Sequence, residues 1–458
     1  MKQAIKDTRF SQLFVQIHSS LWFVPTLVVL AMVLLALGLV EFDRHAGDML
    51  GQRWPRTFGV EAEGARSMLS AIASAMATVS GVAFSITVVA LVLASNQYTS
   101  RVMRNFMRDR ATQVVLGIFL GVYIYCLVVL RTVGGQADAF VPTAAVFGAL
   151  VMAVLASGAF IFFVHHISAT IQASEMAQAI TGDTLAAIDD VFPEQPDAVA
   201  AATPPAHGAC WQPVPALQWG YIQTVALDRM LRLAVRHGTV IRMERQPGDF
   251  ASADAPLLAL AMNHPPERRL VEELNRCFGI DAFRTIDQDP AFGLRQLVDM
   301  SLKALSPGIN DTTTAVTCLD NIGVILQHCA GRDLAPRHLQ EDGTLRVITR
   351  TRDAAHFVRL AFSQIVENAE GNTVVMLKVL ATVGNVARTH ATEAMRAALR
   401  HELEVIEEIA LRGAKSAAAN GAIVAALANT GRALDGPAAD RGLAATMPPA
   451  CPAPLTTP

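Results

Sequence analysis

Residues 75–96, AMATVSGVAFSITVVALVLASN, form an uninterrupted apolar stretch that decides the class of this chain. Three comparable stretches accompany it in the first third of the sequence, at residues 21–40, 114–130 and 144–164. Each is about as long as a helix must be to cross a hydrocarbon core of roughly 30 Å. None of the four contains Asp, Glu, Lys or Arg. The sequence therefore predicts four transmembrane helices without the intramembrane charges that are typical of proton-coupled transporters.

The composition limits what the remainder can be. Of the 458 residues, 52% are hydrophobic and 17% are charged, and the apolar excess lies before residue 165. The rest has the composition of an ordinary globular domain. The net charge of -3 provides no basic field, so we expect no nucleic-acid binding. The six cysteines have neither CxxC nor zinc-ligand spacing, and we expect no metal site and no other cofactor.

Changes of pattern along the chain predict its domains. Helical spacing continues past Val164, and PEQPDAVAAATPPAHG then breaks all periodicity. Short β-type runs surround the turn signal Pro247-Gly248-Asp249, with an inserted helix at 226–237, and helical patterns follow from Pro266. We therefore expect a transmembrane domain at 1–165, a helical connector and linker at 166–211, a small β-subdomain at 212–262, a cytosolic helical domain at 263–435 and a disordered tail at 436–458.

Positive charges predict the orientation of the spans. Lys2, Lys6 and Arg9 precede the first span, and four arginines separate the second from the third, whereas five arginines lie in the other two loops. The small margin favours an amino terminus in the cytoplasm, and an even number of spans brings the carboxy terminus to the same side. The predicted fold class is a membrane α-helical domain of four transmembrane helices plus a cytosolic α+β domain, in which a small β-subdomain precedes a helical bundle.

The second span carries small and hydroxylated residues on one face. At about 100° per residue they fall on one narrow stripe, and Asn96 and Thr99 extend this stripe. Two explanations are open. The small residues allow two helices to approach closely in lipid, or the stripe lines an aqueous pathway in an oligomer. The candidate pore-lining residues are Ser67, Ser70, Ser74, Thr78, Gly81, Ser85, Asn96 and Thr99.

The densest polar segment of the soluble part runs from Arg284 to Asp320. Ser306-Pro307-Gly308 ends one helix, and Asn310 or Asp311 caps the next by accepting an early backbone N–H. Polar residues crowd beside this helix start, where an anion could also bind. They form either a structural hydrogen-bond network or a ligand site. The candidate residues are Arg284, Gln288, Asp289, Arg295, Gln296, Asp299, Asn310 and Asp311.

Five segments carry a resemblance to a known family: 76–110, which begins MATVSGVAFSITVV, 113–133, QVVLGIFLGVYIYCLVVLRTV, 220–223, GYIQ, 247–250, PGDF, and 288–311, QDPAFGLRQLVDMSLKALSPGIND. The chain resembles a bacterial family of predicted inner-membrane proteins classed as a domain of unknown function. The resemblance covers nearly all of the chain except the tail. It implies an inner-membrane location and supplies no activity or catalytic residue. Thr312 and Trp219 depart from the family pattern, which commonly has Pro and Ser at these places.

The sequence contains no G-x-S-x-G, P-loop, H-E-x-x-H or dinucleotide-binding motif, and we expect no enzymatic activity and no catalytic residue. The favoured function is an oligomeric channel or pore-like assembly that is gated by its cytosolic domain. The alternative is a non-conducting, membrane-anchored sensor or scaffold whose cytosolic domain binds a ligand or a protein partner. The expected partners are the lipid bilayer and further copies of the chain.

Overall fold

A computed structural model describes residues 22–46, 61–97, 109–133, 140–170, 172–192 and 210–436. The expected disordered tail and most of the expected linker lie outside these ranges. The chain divides into two compact units, with the boundary between Met176 and Ala177.

The first unit contains four long helices: α1 (Phe23–Ala46), α2 (Ala62–Gln97), α3 (Arg110–Thr132) and α4 (Thr143–Thr170). Each has a segment that is long and apolar enough to cross a membrane. Each helix continues past the C-terminal end of the apolar stretch that predicted it, and α2 also begins well before its stretch, at Ala62. The predicted fold class is confirmed, since four apolar helices precede a C-terminal domain of helices and small sheets.

Two glycines of α3 permit close contact with α1. A Cβ atom added at Gly117 would lie 2.9 Å from Val28 Cβ and 3.0 Å from Pro25 Cα. One added at Gly121 would lie 2.7 Å from Met32 Cγ. The spacing of four residues places both glycines on the same face of the helix, as in small-xxx-small contacts between membrane helices. These two glycines therefore allow α3 to pack closely against α1.

Carboxylates satisfy backbone groups at the starts of two of these helices. Asp43, near the end of α1, is 7% exposed and accepts hydrogen bonds from the backbone N–H groups of Ala144 and Ala145 at 3.2 and 3.1 Å. Asp109 accepts from the backbone of Thr112 at 3.1 Å and bonds His166 Nε2 of α4 at 2.8 Å. The first four N–H groups of a helix have no partner within the helix, and these bonds supply one.

Among the residues that the structure describes, the second unit has eight strands in two sheets. The strands are β1 (Trp211–Pro215), β2 (Gly220–Val225), β3 (Ile241–Met243), β4 (Phe250–Ala251), β5 (Pro256–Ala261), β6 (Phe278–Asp281), β7 (His338–Glu341) and β8 (Thr344–Ile348). The larger sheet has the order β1-β5-β3-β8-β7, with β3 and β8 parallel, and the smaller has the order β4-β2-β6. Buried aliphatic residues such as Ile222, Leu258 and Val347 form the core against these sheets.

Helices complete the second unit. They are α5 (Ala173–Val191), α6 (Leu227–Arg236), α7 (Arg268–Asn275), α8 (Pro290–Ala304), α9 (Thr312–Ala330), α10 (Ala354–Asn368), α11 (Thr373–Arg388), α12 (Glu393–Arg412) and α13 (Ala417–Asp435). The first residues of α5 precede the boundary between the units. From α8 onward the helices form a bundle, and fully buried Phe357, Phe362 and Leu380 lie in its core.

The prediction of a purely helical segment at 263–435 is wrong at three strands, because β6, β7 and β8 lie within it. β6 has only four residues and is recognisable through its pairing with β2. The β7–β8 hairpin turns at Asp342-Gly343, where both residues have positive φ, 51° and 72°. That conformation is typical of a two-residue type I′ hairpin, for which Asp-Gly is a preferred sequence. The Asp342-Gly343 pair is therefore a local sequence signal for this hairpin.

Replacing Gly117 by Leu is expected to disrupt the membrane unit. The new side chain would meet the α1 backbone at Pro25, so the two helices must separate, which costs about 1–3 kcal/mol or more. The measurement is thermal unfolding of the purified full chain in detergent. Gly38→Leu is the matched control, because no described atom lies within 4 Å of a Cβ at Gly38. Equal melting temperatures for the two variants would contradict the proposed contact.

Candidate functional site

The small-residue stripe of α2 points away from the other helices of its own unit. The residues that α2 buries include Leu69, Met76 and Ala83, which lie about 180° around the helix from the stripe. All six stripe residues whose side chains the structure describes are exposed: Ser67, Ser70, Ser74, Thr78, Gly81 and Ser85. The side chain of Asn96 and the whole of Thr99 lie outside the described residues. The stripe therefore does not serve close packing among the described helices of this chain.

The stripe has space in front of it and changes character along the helix. No described atom lies within 4 Å of a Cβ placed on Gly81. The Thr78 hydroxyl donates to the backbone oxygen of Ser74 at 3.0 Å, so its hydrogen is already bonded within the helix. Beyond Ser85, the same face continues with Val88 and Val92, which are 42% and 52% exposed. The polar half of the face is thus followed by an apolar half.

In the second unit, Asp289 is the centre of a buried ion-pair network. Its side chain is 1% exposed, and Oδ2 accepts from Arg284 Nε at 3.0 Å and from Arg284 Nη2 at 2.6 Å. Its Oδ1 accepts from Arg352 Nη1 at 3.1 Å. Burial raises the pKa of Asp289, and the two guanidinium groups oppose this effect. Two arginines that are far from each other in sequence therefore share one buried carboxylate.

The Pro247-Gly248-Asp249 turn closes this network. Arg352 donates from Nη1 to the Pro247 backbone oxygen at 2.8 Å and from Nη2 to Asp249 Oδ1 at 3.1 Å. Gly248 has φ +87°, and a Cβ there would lie 2.1 Å from Asp289 Oδ2. Only glycine fits at this position, because both the backbone conformation and the carboxylate exclude a side chain. The network thus connects a turn next to the sheets with the first turn of α8.

The structure separates the eight predicted residues into three groups. Arg284, Gln288 and Asp289 form the first group, which precedes α8, and Gln288 Oε1 accepts from the Val225 backbone N–H at 2.7 Å. Along α8, Arg295 bonds Asp299 at 2.8 Å and Gln364 of α10 at 2.6 Å.

On the same helix, Gln296 is 2% exposed, and its Oε1 has no hydrogen-bond partner among the described residues. Asp311 caps α9, where it accepts from the Thr314 backbone N–H at 3.0 Å, while Asn310 precedes it with φ +49°. The turn carrying Asn310 and Asp311 forms the third group.

Sequence reasoning missed the partners that give Asp289 its environment. Arg352 and Asp249 are distant from Asp289 in sequence, and neither lies in a periodic pattern that predicts contact. The turn signal at 247–249 predicted a turn among the short β-type runs, and it gave no indication of contact with Asp289. A cavity of about 110 Å³ adjoins the network, and a second cleft of about 630 Å³ is also lined by the segment 350–352. Among the described residues, no group of three His, Cys, Asp or Glu is placed to hold a metal ion.

Comparisons with known proteins agree with this organisation. A family model described as Predicted membrane protein (DUF2254) matches residues 18–385. A protein of Mycobacterium bovis and one of Mycobacterium tuberculosis, both carrying the name "Uncharacterized protein", are each 31% identical to the chain over 358 residues. The alignments cover 76% of this chain and 68% of each relative. No solved structure matches the chain.

Replacing Asp289 by Ala is expected to destabilise the second unit by about 3 kcal/mol or more, because it leaves two partly buried guanidinium groups without their anion. Denaturant unfolding of the full chain in detergent measures the loss. Asp320→Ala is the matched control, since Asp320 is 59% exposed in its ion pair with Lys378 and is expected to contribute less than about 1 kcal/mol. A loss at Asp289 no larger than that at Asp320 would contradict a structural role for the network.

Proposed function

We propose that this chain, which belongs to the family described as Predicted membrane protein (DUF2254), forms a homo-oligomeric, pore-like assembly in the bacterial inner membrane. In this proposal the outward face of α2 lies against the same face of neighbouring copies. Both termini are in the cytoplasm, as the positive charges before the first span favour. The C-terminal domain then acts as assembly platform or gate, without catalysing a reaction.

One contrast between exposed surfaces carries the proposal. The outward faces of α1 and α4 present large apolar side chains, such as Leu34, Val154 and Ile161, which are 62%, 65% and 72% exposed. Such residues suit contact with lipid. The outward face of α2 presents serine, threonine and glycine over the stretch 67–85. A face of this kind suits another helix at close range or water, and either requires something other than lipid in front of it.

In this proposal, a second copy of the chain provides the surface that lies in front of the stripe. Copies arranged around an axis with α2 innermost would place the hydroxyl groups of Ser67 to Ser85 toward that axis. Val88 and Val92 would then form an apolar collar farther along the same face. Apolar constrictions gate pores by dewetting, so this collar is the expected barrier of the assembly. Within α2, the polar half would hold water and the valine half would control its continuity.

A non-conducting sensor or scaffold is the second candidate. The cleft of about 630 Å³ in the C-terminal domain favours it, because its volume is typical of small-molecule sites. In that case the four helices anchor a binding domain, and the stripe joins copies without enclosing water. The two candidates share the oligomer and differ in conduction.

Cysteines on the stripe are expected to cross-link copies of the chain. The parent protein for this experiment carries Cys210→Ser and Cys451→Ser. The other four cysteines are buried and are left in place: Cys126, Cys277, Cys318 and Cys329. In native membranes, Thr78→Cys is expected to yield covalent dimers with a short bismaleimide. Ile161→Cys, which is 72% exposed on α4, is expected to remain monomeric. Equal cross-linking at both positions, or none at Thr78, would reject α2 as the interface.

Replacing Val88 by Ser is expected to raise ion flux through reconstituted vesicles severalfold, because a hydroxyl group in the collar favours water there. Val154→Ser, on the outward face of α4, makes the same chemical change away from the stripe and is expected to leave flux unchanged. If neither the parent protein nor Val88→Ser conducts above empty vesicles while cross-linking persists, the pore is rejected in favour of the scaffold.

A further inference from the structure

The larger cleft of the C-terminal domain, of about 630 Å³, has a basic lining. It lies where the segment 350–354 meets the loop 332–336 and the start of α12. The titratable residues that line it are Arg332, Arg350, Arg352, Arg359, His356, Asp333 and Asp353. Arginines outnumber aspartates in this lining, although the whole chain has a net charge of -3.

Two of the four arginines are already engaged. Arg332 is 6% exposed and donates to Asp189 and to the backbone oxygens of Phe192 and His328. Arg352 belongs to the Asp289 network. These two side chains are fixed by their partners and form part of the wall.

Arg350 and Arg359 differ from them, because both are exposed and neither has a hydrogen-bond or ion-pair partner among the described residues. Each guanidinium group carries five N–H donors in a planar fork. A planar fork matches the oxygens of a phosphate or carboxylate in a bidentate arrangement. The cleft therefore has two cationic groups available for a ligand.

The aspartates of the lining do not neutralise these arginines through ion pairs. Asp353 Oδ1 accepts from the His356 backbone N–H at 2.8 Å and caps α10. Asp333 Oδ1 accepts from the Ala335 backbone N–H at 2.9 Å. Burial lowers the pKa of His356, and Arg352 and Arg359 lower it further against the opposing effect of Asp353. The field at His356 is thus dominated by the arginines.

We propose that this cleft binds the phosphate group of a small molecule, with Arg350 and Arg359 as the ligand-binding side chains. The volume lies within the range of small-molecule sites, roughly 300–1,000 Å³. Leu334, Pro336 and Ala354 supply apolar wall beside the arginines, which suits the organic part of a phosphate ester. The proposal goes beyond the pore-like assembly and holds independently of it.

The test is calorimetric titration of inorganic pyrophosphate into the purified full chain in detergent. Arg350→Ala and Arg359→Ala are each expected to weaken binding roughly tenfold to a hundredfold, since each removes a charge-assisted interaction. Arg268→Ala is the matched control. The Arg268 side chain is 94% exposed, lies on α7 outside the cleft, and is expected to leave affinity unchanged. Because Arg350 and Arg359 are exposed and unpaired among the described residues, all three variants are expected to melt at the parent temperature.

Two further experiments identify the source of the phosphate group and test whether the planar guanidinium group is needed to bind it. Nanodiscs of phosphatidylcholine are compared with nanodiscs that also contain phosphatidylglycerol. Weaker pyrophosphate binding in the second set identifies a lipid headgroup as the occupant, whereas equal binding identifies a soluble phosphate compound. Arg350→Lys is expected to retain part of the affinity, because lysine keeps the charge and loses the fork. Absence of pyrophosphate binding to the parent protein, or equal affinity in Arg350→Ala, Arg359→Ala and Arg268→Ala, would overturn the proposal.

Discussion

An unpaired polar group in hydrocarbon has no water to bond, and this constraint explains most of the membrane unit. The backbone of each span is helical, so its N–H and C=O groups are paired internally. Near two helix starts, Asp43 and Asp109 accept the N–H groups that the helices leave free. A carboxylate inside the bilayer would be costly in free energy. These two lie at helix ends, where they accept backbone hydrogen bonds. Within the spans, hydroxyl groups such as that of Thr78 bond to the preceding turn.

The same constraint makes the outward face of α2 informative. Its hydroxyl groups are compatible with lipid one at a time, but the stripe itself carries no large apolar side chain between Ser67 and Ser85 for contact with lipid tails. Close packing within the unit is provided elsewhere, by Gly117 and Gly121 of α3 against α1. The stripe residues of α2 are exposed in the described part of a single chain. In the proposed assembly, a contact between copies would give them a physical role, and a water-filled axis would give their hydroxyl groups water to bond.

Composition and periodicity predicted the local elements well, but they predicted long-range partners poorly. Four apolar stretches of sufficient length were enough to predict α1 to α4. The helical rotation of about 100° per residue identified the α2 stripe. Which way the stripe faces depends on Leu69, Met76 and Ala83 meeting other helices, and no local pattern contains that information. Asp311 was identified as a possible cap because capping is local. The environment of Asp289 was not predictable, since it depends on Arg352 and on a glycine turn that tertiary structure brings together.

The central claim, that α2 faces other copies of the chain, is tested most directly by determining the structure of the full chain in lipid nanodiscs. The account predicts several copies around one axis, with Ser74, Thr78 and Ser85 directed toward it. A single copy in the nanodisc, or copies joined through other helices while the stripe of α2 contacts lipid, would contradict it.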